Sequence, residues 1–91
     1  MTLDTRPRRQ DGVLAQSVQG QTVLLRLDDG SYYAIDAVGA LVWELCDGRR
    51  SLGDIVAVVH ERFAAEEDQV RQDVLEFVSD LQGERLLAGA R

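Results

Sequence analysis

Apolar and polar positions follow two different periods along this chain, the first up to residue 36 and the second beyond it. Residues 22–27 alternate, with Val23, Leu25 and Leu27 on one side and Thr22, Leu24 and Arg26 on the other, which is the two-residue repeat of a strand. A shorter run, 13–18, precedes this segment, and a tyrosine-rich run, 31–35, follows it. Gln19-Gly20 and Asp28-Asp29-Gly30 are tight-turn sequences, so the three runs predict an antiparallel meander. Tyr32 and Tyr33 are adjacent in a strand and point to opposite faces, one into the core and one outward.

Beyond Asp36 the spacing becomes helical. Val38, Leu41, Val42, Leu45 and Cys46 share one face, Asp36 is placed to cap the start, and Asp47-Gly48 stops the helix. Ser51 and Asp54 make a capping box ahead of a second helix, which turns Leu52, Ile55, Val56, Val59 and Phe63 inward. A third helix over 66–82 carries Val70, Val74, Phe77, Val78 and Leu81 as its apolar stripe. Glu66, Glu67 and Asp68 favour its N-terminal dipole, although Ala64 and Ala65 offer no side-chain cap. Gly83 is expected to end it, and Leu86-Leu87 to fold back on the core. The prediction is an α+β domain resembling a winged helix-turn-helix, a three-stranded antiparallel sheet followed by three helices. Its extent is 12–88, behind a flexible, polar arm over 1–11 that holds the only proline, Pro7.

Ninety-one residues allow one domain, and 45% hydrophobic content is enough for a core. The single cysteine excludes an internal disulfide, and one histidine, His60, argues against a metal cluster or a catalytic triad. Cys46 lies on an apolar helix face without a neighbouring base, so it is read as an inert buried thiol. No phosphate-binding glycine motif is present. The chain is therefore expected to be non-catalytic, with no cofactor and no metal. Sixteen acids against ten bases, all of them arginine, give a net charge of −6, the wrong sign for wrapping nucleic acid. No run approaches the roughly 18 apolar residues of a membrane span, and 1–12 lacks the apolar core of a secretory signal. A cytoplasmic protein with no membrane or nucleic-acid partner is the expectation.

The third strand closes the meander and so forms a sheet edge, yet residues 31–35 contain neither charge nor proline to blunt it. An open edge beside an apolar helix is what peptide capture by strand addition requires. Gln69, Asp73, Glu76 and Asp80 flank that helix's stripe, as a solvated face or as the border of a partner groove.

The run from Gly30 to Gly48, Gly-Ser-Tyr-Tyr-Ala-Ile-Asp-Ala-Val-Gly-Ala-Leu-Val-Trp-Glu-Leu-Cys-Asp-Gly, resembles the PqqD-like proteins, which are stand-alone recognition elements for ribosomally made, modified peptides. Ser51, Asp54 and Ile55 fill the capped-helix part of that pattern, and Val70, Asp73, Val74, Phe77, Val78 and Leu81 fill its third part. Asp36 stands where the pattern has asparagine, and Cys46 where it has leucine. The resemblance implies a non-catalytic module that binds a precursor's leader peptide as a further strand. The leader would run along Ser31, Tyr32, Tyr33, Ala34 and Ile35, with Val70, Asp73, Val74 and Phe77 as the helix wall. Arg85-Leu86-Leu87 replaces the Gly-Trp pair of the proteins of pyrroloquinoline-quinone synthesis, and the third strand looks more like split lasso-peptide systems. There the partners would be a separate cysteine-type leader peptidase and an ATP-dependent cyclase. A peptide chaperone of pyrroloquinoline-quinone or radical-SAM maturation is the alternative within the family. Outside it stand a winged-helix DNA-binding regulator, disfavoured by six acids against Arg71 alone over 66–82, and an oligomerising subunit that pairs through its open edge.

Overall fold

The computed structural model describes residues 2–88. Three strands, β1 (Val13–Val18), β2 (Gln21–Arg26) and β3 (Tyr32–Ile35), form an antiparallel sheet in the order β1-β2-β3. Three helices follow, α1 (Ala37–Leu45), α2 (Leu52–Phe63) and α3 (Glu67–Gly83), so the α+β layout is as expected. Gln19 and Gly20 both take positive φ, 52° and 83°, and this two-residue loop joins β1 to β2 with Val18 opposite Gln21. Gly30, at φ +74°, completes the second turn.

The core is built from one side of the sheet and the facing stripes of the helices. Leu24 is fully buried at its centre, with Ile35, Val42, Ile55, Val59, Val74, Val78 and Leu81 around it. Trp43 and Cys46 belong to this core, and Leu86 and Leu87 fold back into it. The inward face of β2 is the one with Thr22, Leu24 and Arg26, so the more apolar set, Val23 and Leu25, lies on the outer face. Arg26 is accommodated inward because its head reaches Asp28 at 2.6 Å and Asp29 at 3.9 Å. No helix among the described residues is long and apolar enough to cross a membrane.

Asp36 caps α1 by accepting the Gly39 N–H at 2.8 Å. The Ser51–Asp54 capping box is complete, with both bonds at 3.1 Å. α3 starts without a side-chain cap, as its sequence indicated. Two helix ends differ from expectation. Phe63 is 39% exposed, because α2 ends there and Ala64 turns the chain away in the left-handed conformation. Gly83 stays helical, and the turn after α3 falls on Arg85, at φ 58°.

The segment before β1 is tied to the domain where a loose arm was expected. The Leu52 and Gly53 N–H groups donate to the carbonyls of Thr5 (2.8 Å) and Leu3 (2.9 Å), which satisfies first-turn donors of α2 that have no partner within the helix. Gly48 donates to Pro7, Arg9 to the Cys46 carbonyl and Ala88 to Arg8. The Arg9 guanidinium donates to the carbonyls of Trp43 (3.1 Å) and Glu44 (2.7 Å), a cation at the negative end of α1. Composition identifies a polar segment but not the unsatisfied helix termini it serves.

Candidate functional site

The direction of the free groups on β3 follows from its register. The Arg26 N–H donates to the Ser31 carbonyl at 2.8 Å, so Arg26 and Ser31 form a hydrogen-bonded pair. Hydrogen-bonded and non-hydrogen-bonded pairs alternate in an antiparallel ladder. With Leu25 opposite Tyr32, Leu24 opposite Tyr33 and Val23 opposite Ala34, the backbone groups of Tyr33 and Ile35 face β2. Those of Tyr32 and Ala34 face outward, leaving two N–H donors and two carbonyl acceptors along the edge.

A groove opens where β3 passes into α1. β3 packs on β2 and α1, and α3 packs on α2, while β3 and α3 make no extended contact of their own. Between α1 and α3 is a cavity of about 220 Å³, walled by Val38, Gly39 and Val42 on one side and Asp73, Val74 and Phe77 on the other. Asp36, which follows β3 directly, also lines it. Gly39 keeps the walls close: a Cβ there would lie 3.0 Å from Phe77 Cζ and 3.1 Å from Ile35 Cβ.

Of the residues singled out from sequence, Asp73, Val74 and Phe77 meet in this wall, and Tyr32 and Ala34 supply the open edge. Asp73 is exposed on the rim and accepts from the Gln69 side chain at 2.9 Å. Tyr33 is half-buried on the inner face and Ile35 is buried. Val70 is buried in the core and does not line the cavity. Ser31 has its backbone groups already engaged, its N–H by Asp29 at 2.9 Å and its carbonyl by Arg26. The α1 wall was not picked out from sequence. Val38 and Val42 read there as core, and a lone glycine inside a helix was the one available signal.

The remaining chemistry is sparse. Burial pushes the Cys46 thiol up to about 12, so it stays protonated and unreactive at neutral pH. His60 is exposed, and its Nδ1 donates to the Ala65 carbonyl at 2.6 Å. A larger concavity of about 680 Å³ opens on the other side of α1, where Ala34 and Ile35 of β3 line it together with Leu41 and Phe63 and no residue of α3 reaches it.

Fold and groove together define a small α+β domain with one sheet edge open beside a helix. The family model described as coenzyme PQQ synthesis protein D (PqqD) matches residues 21–87. The chain belongs to the PqqD family. A PqqA binding protein of Rhizobium meliloti (strain 1021) is 36% identical over 70 residues, covering 77% of this chain and 69% of that one. Another, of Xanthomonas axonopodis pv. citri (strain 306), is 30% identical over 87 residues, covering 96% and 95%. Among solved structures, TbiB1 in complex with the TbiA(beta) leader peptide is 28% identical with a TM-score of 0.78, over 90% of this chain and 95% of that one. Lasso peptide synthetase B1 complexed with the leader peptide shares the fold, with a TM-score of 0.81 over 92% of this chain and 99% of that one at 17% identity.

Proposed function

We propose that this protein binds the leader peptide of a ribosomally made precursor as a fourth strand along β3, in the groove against α3. In this reading it has no catalytic role and presents the precursor to a separate cysteine-type leader peptidase and an ATP-dependent cyclase. The observation that carries the reading is the outward-facing pair Tyr32 and Ala34 on a strand that runs into a groove no part of the described chain fills. Its relatives support it: two are named for binding PqqA, and the structurally similar TbiB1 was solved with a leader peptide.

Magnitudes assign the parts of the groove their roles. Four edge hydrogen bonds at about 1 kcal/mol net each amount to roughly 4 kcal/mol, which corresponds to about millimolar affinity. Backbone pairing therefore sets register, and tighter binding comes from side chains that enter the wall of Val38, Val42, Val74 and Phe77. DNA binding has no support on α3, whose one arginine, Arg71, is already paired with Asp68 at 3.2 Å.

The test is titration of labelled TbiA(beta) leader peptide, the ligand in the similar TbiB1 structure, against wild type, Asp73→Ala and Glu66→Ala. A rim carboxylate that accepts from the leader contributes about 1.5 kcal/mol or more, so Asp73→Ala should weaken binding roughly tenfold or more. Glu66→Ala, in the first turn of α3, should change little. Equal affinity in all three would remove the α3 rim from the site. A PqqA peptide run in parallel separates the two pathways, and tighter binding of PqqA would assign the chain to the quinone branch.

A further inference from the structure

The sheet has a second open edge, which the peptide-binding reading leaves unused. The Leu27 N–H donates to the Gly12 carbonyl at 2.9 Å, so Gly12 and Leu27 form a hydrogen-bonded pair, and Leu14 with Leu25 and Gln16 with Val23 follow in the same phase. The backbone groups of Val13, Ala15 and Ser17 therefore point away from the sheet. β1 packs on β2, and no helix among the described residues makes an extended contact with it. Edge strands are normally blunted by charge, proline, bulges or shortness. β1 has six residues paired without interruption, Val-Leu-Ala-Gln-Ser-Val, and none of these protections.

Charge distribution points to the occupant. From Gly12 to Leu25 the chain carries no charged side chain, although 29% of its residues are charged and its net charge is −6. Two copies repel each other over most of their surfaces, α3 above all, but not along β1. We propose that a second copy of this chain pairs here, β1 antiparallel to β1 about a two-fold axis perpendicular to the sheet. Ala15 lies opposite its own counterpart and Val13 opposite Ser17, which gives three hydrogen-bonded pairs in one six-stranded sheet. On the outer face Leu14, 46% exposed, meets Gln16 of the second copy. On the proposed reading β3 is taken by the leader peptide, so this pairing is assigned to β1. Both β3 edges remain free at the outer ends of the joined sheet. The features of β1 that carry the pairing do not depend on leader binding.

An interface built on one strand pair is small, so association should show at protein concentrations of about 0.1–1 mM. Sedimentation equilibrium over that range should give a mass rising from one chain towards two. Ala15→Pro removes the central outward donor without breaking a bond inside the sheet, and Gln16→Glu places like charges near the axis. Both variants should remain monomeric, and if the proline variant fails to fold, Gln16→Glu decides. A wild type that stays monomeric at about 1 mM would overturn the proposal, as would folded variants that associate like wild type. Saturating leader should leave the dimer intact; its dissociation would place self-association on β3 and overturn the assignment to β1.

Discussion

β3, with the outward amides of Tyr32 and Ala34, runs into a groove that has one acidic and apolar helical wall, whereas β1, with those of Val13, Ala15 and Ser17, has no extended contact with any helix among the described residues. Both edges offer the same backbone chemistry. The difference lies in what stands next to them, and on the two proposals made above it selects the partner: the walled edge takes one extended chain and reads its side chains, while the open edge takes another sheet. If the leader binds as proposed, specificity belongs to α1 and α3 and not to the strand.

The most damaging way to probe that contrast is to close the groove. Gly39→Ala sets a methyl group 3.0 Å from Phe77 Cζ and 3.1 Å from Ile35 Cβ. Overpacking of this kind costs about 1–3 kcal/mol of stability. Denaturant unfolding should show that loss, and leader titration of the folded variant should show weakened binding, with self-association through β1 unaffected. Unchanged leader affinity would mean that the peptide does not enter between α1 and α3.

A smaller effect separates the two turns that lead into the edges. The N–H and hydroxyl of Ser31 hold the Asp29 carboxyl below its ordinary value. A depressed carboxylate stabilises the fold above its unfolded value, near 4, and that contribution is lost as pH falls through the lower folded value. Acid titration from about pH 5 to pH 2 should therefore shift the amide signals of Ser31 and Tyr32 before those of Gln19 and Gly20, whose turn has no titratable side chain. Simultaneous movement of both turns would show global unfolding instead.

Much of this arrangement is legible in the sequence. Alternation over 22–27, the Asp28-Asp29-Gly30 turn and the Ser51–Asp54 box specify local structure through neighbouring residues, and all three elements form where they were expected. The family resemblance named Val70, Asp73, Val74 and Phe77 as a helix wall, and the last three of these line the cavity while Val70 is buried in the core. What was not legible depends on distant parts of the chain. Alternation divides β2 into two faces but does not say which one the helices cover, and the covered face is that of Leu24, not that of Val23 and Leu25. The tethering of the segment before β1 depends on the orphan donors of α2, nearly fifty residues away along the chain. Gly39 acquires its role only from Phe77 and Ile35, which approach it from other elements.

Hydrogen exchange read residue by residue, with and without leader, tests the account at its centre. Successive strand amides point in opposite directions, so added pairing protects alternate residues only. Leader should slow exchange at Tyr32 and Ala34, leave Tyr33 and Ile35 at the protection β2 already gives them, and leave Val13, Ala15 and Ser17 unmoved at constant protein concentration. Bound leader with no new protection at Tyr32 and Ala34, or with protection appearing along β1, would contradict it.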